Sequence, residues 1–357
     1  MKIKINHNTV EETLIIPLYG RMVIEEKYPN LKTTNNTKEI LDLLDYDFES
    51  KKKKMYSKAG IYGALEGCQR EYDLKWEIDN YLISHPNASI VNLGCGLLDI
   101  FSMTNNGLAK CYNIDFPDVI KIRNQLLKLK ENEYNISCDL NDFSWMDEID
   151  NKNGVIFVAA GVFYYFKRED IIKLFNELSN RFKGSSLAFD TCNKKGLKIM
   201  LKTVIKEAEI KDVGAFFGLS KPEKELKEMN IKYNNISIKS YMNGYRKLKY
   251  RLLYKILNFL MDHYVKSRII RLPIHMIDSI GKIRRATIDL TTELGHAPSK
   301  QEIAYRLGLS ISKLNSIIKS AQSTVSMDTP ASSSDDDSAK IADFIVDNST
   351  ISPDGKV

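Results

Sequence analysis

Residues 89–96, Ser-Ile-Val-Asn-Leu-Gly-Cys-Gly, decide the fold of this chain. A short apolar run closing on Gly-x-Gly is a strand that turns sharply, its glycines admitting positive φ and a close approach of a ligand to the backbone. By itself the pattern also fits an ordinary tight turn. Working outward, β-branched and aromatic runs recur near 110–115, 134–138, 154–160, 185–190, 231–240 and 267–272. Amphipathic stretches at 117–129, 168–182, 194–208 and 243–263 separate them, and in the second Ile171, Leu174, Phe175 and Leu178 repeat at helical spacing. Strands alternating with helices predict an α/β fold, a doubly wound sheet of seven strands over 89–271.

The 357 residues exceed what one core holds, since single cores rarely grow past roughly 250–300 residues. A second unit is therefore expected. The 52 basic and 46 acidic residues leave +6, too mild a charge to imply nucleic-acid or membrane binding. From Leu272 onward the balance is −2, leaving +8 for residues 1–271. The five cysteines form no Cys-x-x-Cys pair and read as free buried thiols, with no metal site. No apolar run reaches the ~18 residues of a membrane span, and the amino terminus lacks a signal-peptide core, so a cytoplasmic protein without a membrane is expected. Residues 1–88 carry helical pieces at Lys38–Leu44 and Ala64–Leu82 and read as a helical cap over the strand ends, with Lys51–Lys54 as a solvated loop.

Beyond Leu272 the periodicity is purely helical. Ser299-x-x-Glu302 after Pro298 has the form of a capping box opening a short helix with Ile303, Ala304 and Leu307 on one face. Gly308 closes it, and Ser310 opens a second helix with Ile311, Leu314, Ile317, Ile318 and Ala321. This predicts a small all-α, helix-turn-helix-like domain over 272–323. Residues 324–357, including Ser-Ser-Ser-Asp-Asp-Asp-Ser, cannot bury enough apolar surface to fold alone and read as a largely disordered acidic tail.

Asp115 ends the next apolar run and lies 21 residues after Gly94, where a carboxylate can accept from both hydroxyls of a ribose. The pattern stops at Gly94-Cys95-Gly96, without the third glycine that lets a helix approach a pyrophosphate. A cofactor with a ribose and no pyrophosphate is S-adenosylmethionine. Asp139 would then sit beside the adenine. Equally, Asp139 and Asp142 terminate a strand and cap the next turn.

At these residues the chain resembles the methyltransferases grouped with leucine carboxyl methyltransferase and the tetracenomycin-type polyketide O-methyltransferases. The matching stretches are Thr-Leu-Ile-Ile-Pro-Leu-Tyr-Gly-Arg from Thr13, Leu-Asp-Tyr-Asp-Phe from Leu44, Val-Asn-Leu-Gly-Cys-Gly-Leu from Val91, Asp-Phe-Pro-Asp-Val from Asp115 and Ala-Gly-Val-Phe-Tyr-Tyr-Phe from Ala160. The resemblance implies a Rossmann-like seven-stranded methyltransferase sheet with an amino-terminal helical cap, and an S-adenosylmethionine-dependent O-methyltransferase acting on a small-molecule hydroxyl or carboxylate. It implies that Arg70 pairs with the cofactor carboxylate, that Gly94 and Gly96 form the cofactor turn, that Asp115 is the ribose acid and that Asp139 and Leu140 neighbour the adenine. A structural salt bridge is the other role open to Arg70. Two departures stand out: Gly96-Leu97-Leu98-Asp99-Ile100 replaces the family's Gly-Leu-Asp-Thr-Arg, and Ala160 stands where Glu is frequent. Tyr164 and Tyr165, past the fourth strand, either line the acceptor pocket or pack the core. The five histidines support no general base.

Residues 271–347 resemble region 3 of the primary bacterial sigma factors, through Arg271-Leu-Pro-Ile-His275-Met-Ile-Asp278, Glu293-Leu-Gly-His-Ala-Pro298, Glu302-Ile-Ala, Ser326-Met-Asp-Thr-Pro330 and Asp343-Phe-Ile-Val-Asp347. The resemblance implies that His275 and Asp278 face promoter DNA and that the acidic loop reaches toward the polymerase active site. It carries an alternative function, a transcription-initiation protein that binds RNA polymerase core and promoter DNA with the first domain as scaffold. The segments that melt the −10 element and read the −35 element are not visible. Ser267-Arg-Ile-Ile-Arg-Leu272 fits both families at once. Arg246–Lys255 interleaves cations with apolar residues, and reads as a helix packed on the sheet with a solvated outer face rather than as a membrane-surface helix.

Overall fold

The computed structural model describes residues 2–5, 10–29, 37–200, 214–229, 236–241 and 252–273, and most of 283–318. Two short parallel strands, β1 (Ile3–Lys4) and β2 (Leu44–Asp45), flank helices α1 (Val10–Lys27) and α2 (Thr37–Asp42), and α3 (Phe48–Met55) and α4 (Lys58–Ser84) follow. Then come β3 (Ser89–Leu93), α5 (Ile100–Thr104), β4 (Lys110–Asp115), α6 (Pro117–Leu126), β5 (Glu133–Ser137), β6 (Val155–Ala159), α7 (Arg168–Arg181) and β7 (Ser186–Thr191). The unit continues through α8 (Lys194–Met200), α9 (Pro222–Glu228), β8 (Ser237–Ser240), α10 (Leu252–Tyr264) and β9 (Arg268–Pro273).

Seven of these strands form one sheet in the order β5-β4-β3-β6-β7-β9-β8. Five are parallel, and β9 runs antiparallel to both β7 and β8. Strands β3, β6 and β7 are buried along their whole length, which is why they read as continuous apolar runs instead of alternating ones. Successive residues still point to opposite faces. Val91, Phe157, Phe189 and Ile270 enter one core with Trp145, Leu174 and Phe175, the last two from α7. Ile90, Ile156, Ala188 and Ile269 enter the other, with Leu65, Leu74 and Ile78 of α4. The Rossmann-like seven-stranded sheet expected from the sequence is thus present, and α4 is one of its covering layers.

The lysine run departs from the sequence expectation. Lys51–Lys54 lie in α3 and not in a loop, because Asp47 caps the helix through the Ser50 N–H and three of the lysines fall in its last turn, where cations suit the helix dipole. All five cysteines are free, and all but Cys138 are buried. Among the described residues no helix is long and apolar enough to cross a membrane.

The chain divides into two compact units, Met1–Arg284 and Arg285–Val357. In the second, Ser299 and Glu302 form the expected reciprocal capping box at the head of α11 (Lys300–Arg306). Ile303, Ala304 and Leu314 are buried, and Arg306 Nη1 meets Glu293 Oε2 at 3.1 Å. His275, Asp278, Ile317 and the tail from residue 319 lie outside the described residues.

Candidate cofactor site

The strand order reverses direction between β3 and β6, and ligands of open α/β sheets bind in the crevice outside the carboxyl ends of the strands at such a point. The Gly94-Cys95-Gly96 turn stands there. Gly94 has φ +60°, and a Cβ on it would lie 2.6 Å from Val162 Cγ2, so both conformation and space demand glycine. Gly96 has φ +49° and donates its N–H to Asp115 Oδ2 at 2.8 Å. The other Asp115 oxygen accepts from the Phe116 N–H at 2.8 Å. Burial raises the Asp115 carboxyl above its ordinary value, against the lowering pull of these two hydrogen bonds and of Arg123.

Beneath the turn lies a layer of buried polar side chains that the sequence did not single out. Arg123 of α6, 1% exposed, donates Nη1 to Gly96 O at 3.0 Å and to Leu98 O at 2.9 Å. Its Nη2 meets Glu133 Oε1 at 3.4 Å, and Asn113 Nδ2 donates to the same oxygen at 2.9 Å and to Asn135 Oδ1 at 3.1 Å. A planar cation with several donors satisfies two turn carbonyls and a buried carboxylate at once.

After β5, Asp139 is exposed and accepts from the Asn141 N–H at 2.9 Å, and Asp142 caps the short 3-10 helix Phe143–Glu148 through the Ser144 N–H at 3.1 Å. The turn-capping alternative for this pair is therefore present. Leu140 is buried in the core beside Trp145.

Across the switch point, Arg70 of α4 reaches the loop after β6, where a Cβ on Gly161 would come within 2.6 Å of Arg70 Nη1. Nη1 donates to Asp190 Oδ2 at 3.2 Å, and Nε is buried without a hydrogen-bond partner. Asp190, 1% exposed at the end of β7, also accepts from the Gly161 N–H at 2.6 Å, the Tyr164 hydroxyl at 2.9 Å and the Tyr241 hydroxyl at 2.7 Å. Burial opposes the Arg70 charge, but Asp190 and the two tyrosines more than restore it, so its pKa stands above the usual value. Arg70 thus makes the structural salt bridge, and its second terminal nitrogen has no part in that contact. Tyr164 is buried in the network, whereas Tyr165 is 37% exposed at its edge. One turn before Arg70, burial pushes the Glu66 carboxyl up to about 7 against the pull of Tyr62 and Arg70. The loop after β6 links the two groups, with Val162 against Gly94 and Gly161 against Arg70, and Asp115 and Tyr164 bonded on either side. Asp190, Tyr241, Glu66 and Arg123 were missed; only Asp190, closing the apolar run Ser-Leu-Ala-Phe-Asp, left a trace in the pattern.

These residues suit S-adenosylmethionine. Its ribose hydroxyls match a carboxylate beside a glycine turn, its carboxylate matches a planar cation with an orphaned buried Nε–H, and its sulfonium tolerates the acidic surroundings of Asp115, Asp190 and Glu66.

Residues 76–179 match the family model described as leucine carboxyl methyltransferase, and residues 278–356 match sigma-70 region 3. The RNA polymerase sigma factor SigA of Bacillus sp is 40% identical over 88 residues, which cover 25% of this chain and 23% of that protein. SigA of Nostoc sp. (strain PCC 7120) is 41% identical over 80 residues, covering 22% and 20%. The chain thus spans between a fifth and a quarter of the length of these relatives. Among solved structures, a Thermobifida fusca YX chain assigned as a methyltransferase is 12% identical with a TM-score of 0.48, covering 75% of this chain and 95% of that one. The plantazolicin methyltransferase BpumL in complex with SAH is 16% identical with a TM-score of 0.41, covering 74% and 98%. The chain is thus similar to the leucine carboxyl methyltransferases over residues 76–179 and to sigma-70 region 3 over residues 278–356.

Proposed function

We propose that the first unit is an S-adenosylmethionine-dependent O-methyltransferase acting on a small-molecule hydroxyl or carboxylate. The observation that carries this reading is the Asp115 carboxylate, held by the Gly96 and Phe116 N–H groups at the switch point. When bound, S-adenosylmethionine supplies a sulfonium methyl group for in-line displacement. Each Asp115 oxygen keeps a lone pair for a ribose hydroxyl, Gly94 and Gly96 let the cofactor lie against the backbone, and Leu140 with Asp139 borders the adenine. Arg70 offers the nitrogen not engaged by Asp190 to the cofactor carboxylate, and Tyr164 and Tyr165 line the acceptor side. Orientation of acceptor and methyl group supplies much of the acceleration. A carboxylate acceptor needs no deprotonation.

Calorimetry with S-adenosylhomocysteine on the full chain is expected to show binding that Asp115→Ala weakens by roughly tenfold or more, the worth of hydrogen bonds to a charged group. Binding should also fall on acidification earlier than an ordinary carboxylate would dictate, because Asp115 is already raised in the free protein. Unchanged affinity in Asp115→Ala would reject the assignment.

A second reading rests on the match at residues 278–356. In it the chain is a transcription-initiation protein whose second unit binds RNA polymerase core, with His275 and Asp278 toward promoter DNA. Acidic residues outnumber basic ones from Leu272 onward, so phosphate neutralisation supplies little affinity and polymerase must provide the docking surface. Immobilised core polymerase is expected to retain the full chain and release it to a competing primary sigma factor; no retention rejects this reading. Both readings place the protein in the cytoplasm.

A further inference from the structure

Helix α10 is apolar on both sides. Inward, Tyr254 and Leu257 pack on the core with Met261, and Asn258 accepts from the Tyr62 hydroxyl at 3.4 Å. Outward, Leu253, Ile256, Phe259, Leu260 and Tyr264 are exposed, Phe259 to 71%. With 3.6 residues per turn these five fall on one arc, which also holds the exposed His263. Of the helix expected over Arg246–Lys255, residues 246–251 lie outside the described residues; an exposed apolar patch of this kind marks an interaction surface.

Among the described residues the charges that flank the patch on α8 and α10 are lysines. Lys255 flanks it on α10, Lys266 follows the helix, and Lys194, Lys195 and Lys198 project from α8; all five are exposed, and Lys195 Nζ stands 4.4 Å over the Tyr264 ring. None of these lysines makes an ion pair among the described residues. The acidic residue of α10, Asp262, is turned away into contacts with the Ser240 hydroxyl and Arg268.

We propose that this face of α10 docks on an anionic membrane surface. The helix lies in the interfacial plane, its five apolar side chains enter the acyl boundary, and the lysines meet headgroup phosphates. A second copy of the chain fits less well, since a symmetric contact sets each rim of lysines against its twin. The face belongs to the same sheet edge as the candidate site, because β9 follows α10 directly and starts opposite Thr191, at the carboxyl end of β7.

The test is co-flotation of the full chain with vesicles of phosphatidylcholine alone or mixed with phosphatidylglycerol. Binding is expected on the anionic vesicles, weakened by salt and reduced roughly tenfold or more by Phe259→Glu or by Lys195→Glu with Lys266→Glu. These positions point outward, so the melting temperature and S-adenosylhomocysteine binding should stay as in the wild type, which separates this proposal from the cofactor assignment. Absence of binding to anionic vesicles, or binding indifferent to Phe259→Glu, would overturn it. So would a dimer in light scattering that Phe259→Glu converts to monomer, which would assign the face to a second copy.

Discussion

Replacing Arg123 by alanine is expected to lower the stability of the first unit by about 3 kcal/mol, the low end of the cost of breaking a buried ion pair. The Glu133 carboxylate, 6% exposed, keeps Lys130 and the Asn113 amide but loses the guanidinium, and the Gly96 and Leu98 carbonyls lose their side-chain donor with it. The loss should appear as a fall in melting temperature on the order of 10 °C. Arg123→Lys separates the two jobs of this side chain. Its single ammonium can still neutralise Glu133 but cannot bridge to two carbonyls as well, so stability should recover more than affinity for S-adenosylhomocysteine. A lysine variant with wild-type affinity would show that the turn does not depend on the fork.

A comparable loss is expected for Asp190→Ala. That change leaves the Arg70 cation, two tyrosine hydroxyls and the Gly161 N–H without their common acceptor, in a region where Arg70 Nε already lacks one. About 3–5 kcal/mol is the scale. Removing the cation as well, in Arg70→Leu with Asp190→Ala, should cost clearly less than the two single changes together, because the second substitution removes the charge that the first exposed. Strict additivity in chemical denaturation would mean that the pair is not coupled.

The sheet and the turn were legible because they are written locally. Fully buried parallel strands read as apolar runs, and Gly94, Gly96 and Asp115 lie near strand ends that those runs delimit. The polar layers were not. Arg123 sits among Ile120, Ile122 and Asn124 on a helix whose sequence looks half solvated, and its partners come from two other elements. Asp190 acquires its role only when α4, the loop after β6 and Tyr241 converge on it, contacts that span 26 to 120 positions in sequence. Lys51–Lys54 misled for the opposite reason: a run of like charges suggests a loop, yet a capped helix of about two turns can carry it. For α10 the periodicity announced a helix, but the apolar residues of its outer face could not be told from core residues without knowing which side the sheet occupies.

Strand β9 pairs with β7 on one side and β8 on the other, and it ends shortly before residue 278, where the match to sigma-70 region 3 begins. It is therefore the last piece of the sheet to leave the ribosome. Until Pro273 has emerged, β8 has no neighbour in the sheet, and both hydrophobic layers lack Ile269, Ile270 and Leu272 at that edge. Translation proceeds at ~5–20 residues per second, so the nascent enzyme-like unit becomes able to close only as synthesis of the helical unit begins, and a stop before residue 268 would release a sheet without β9 and with β8 unpaired.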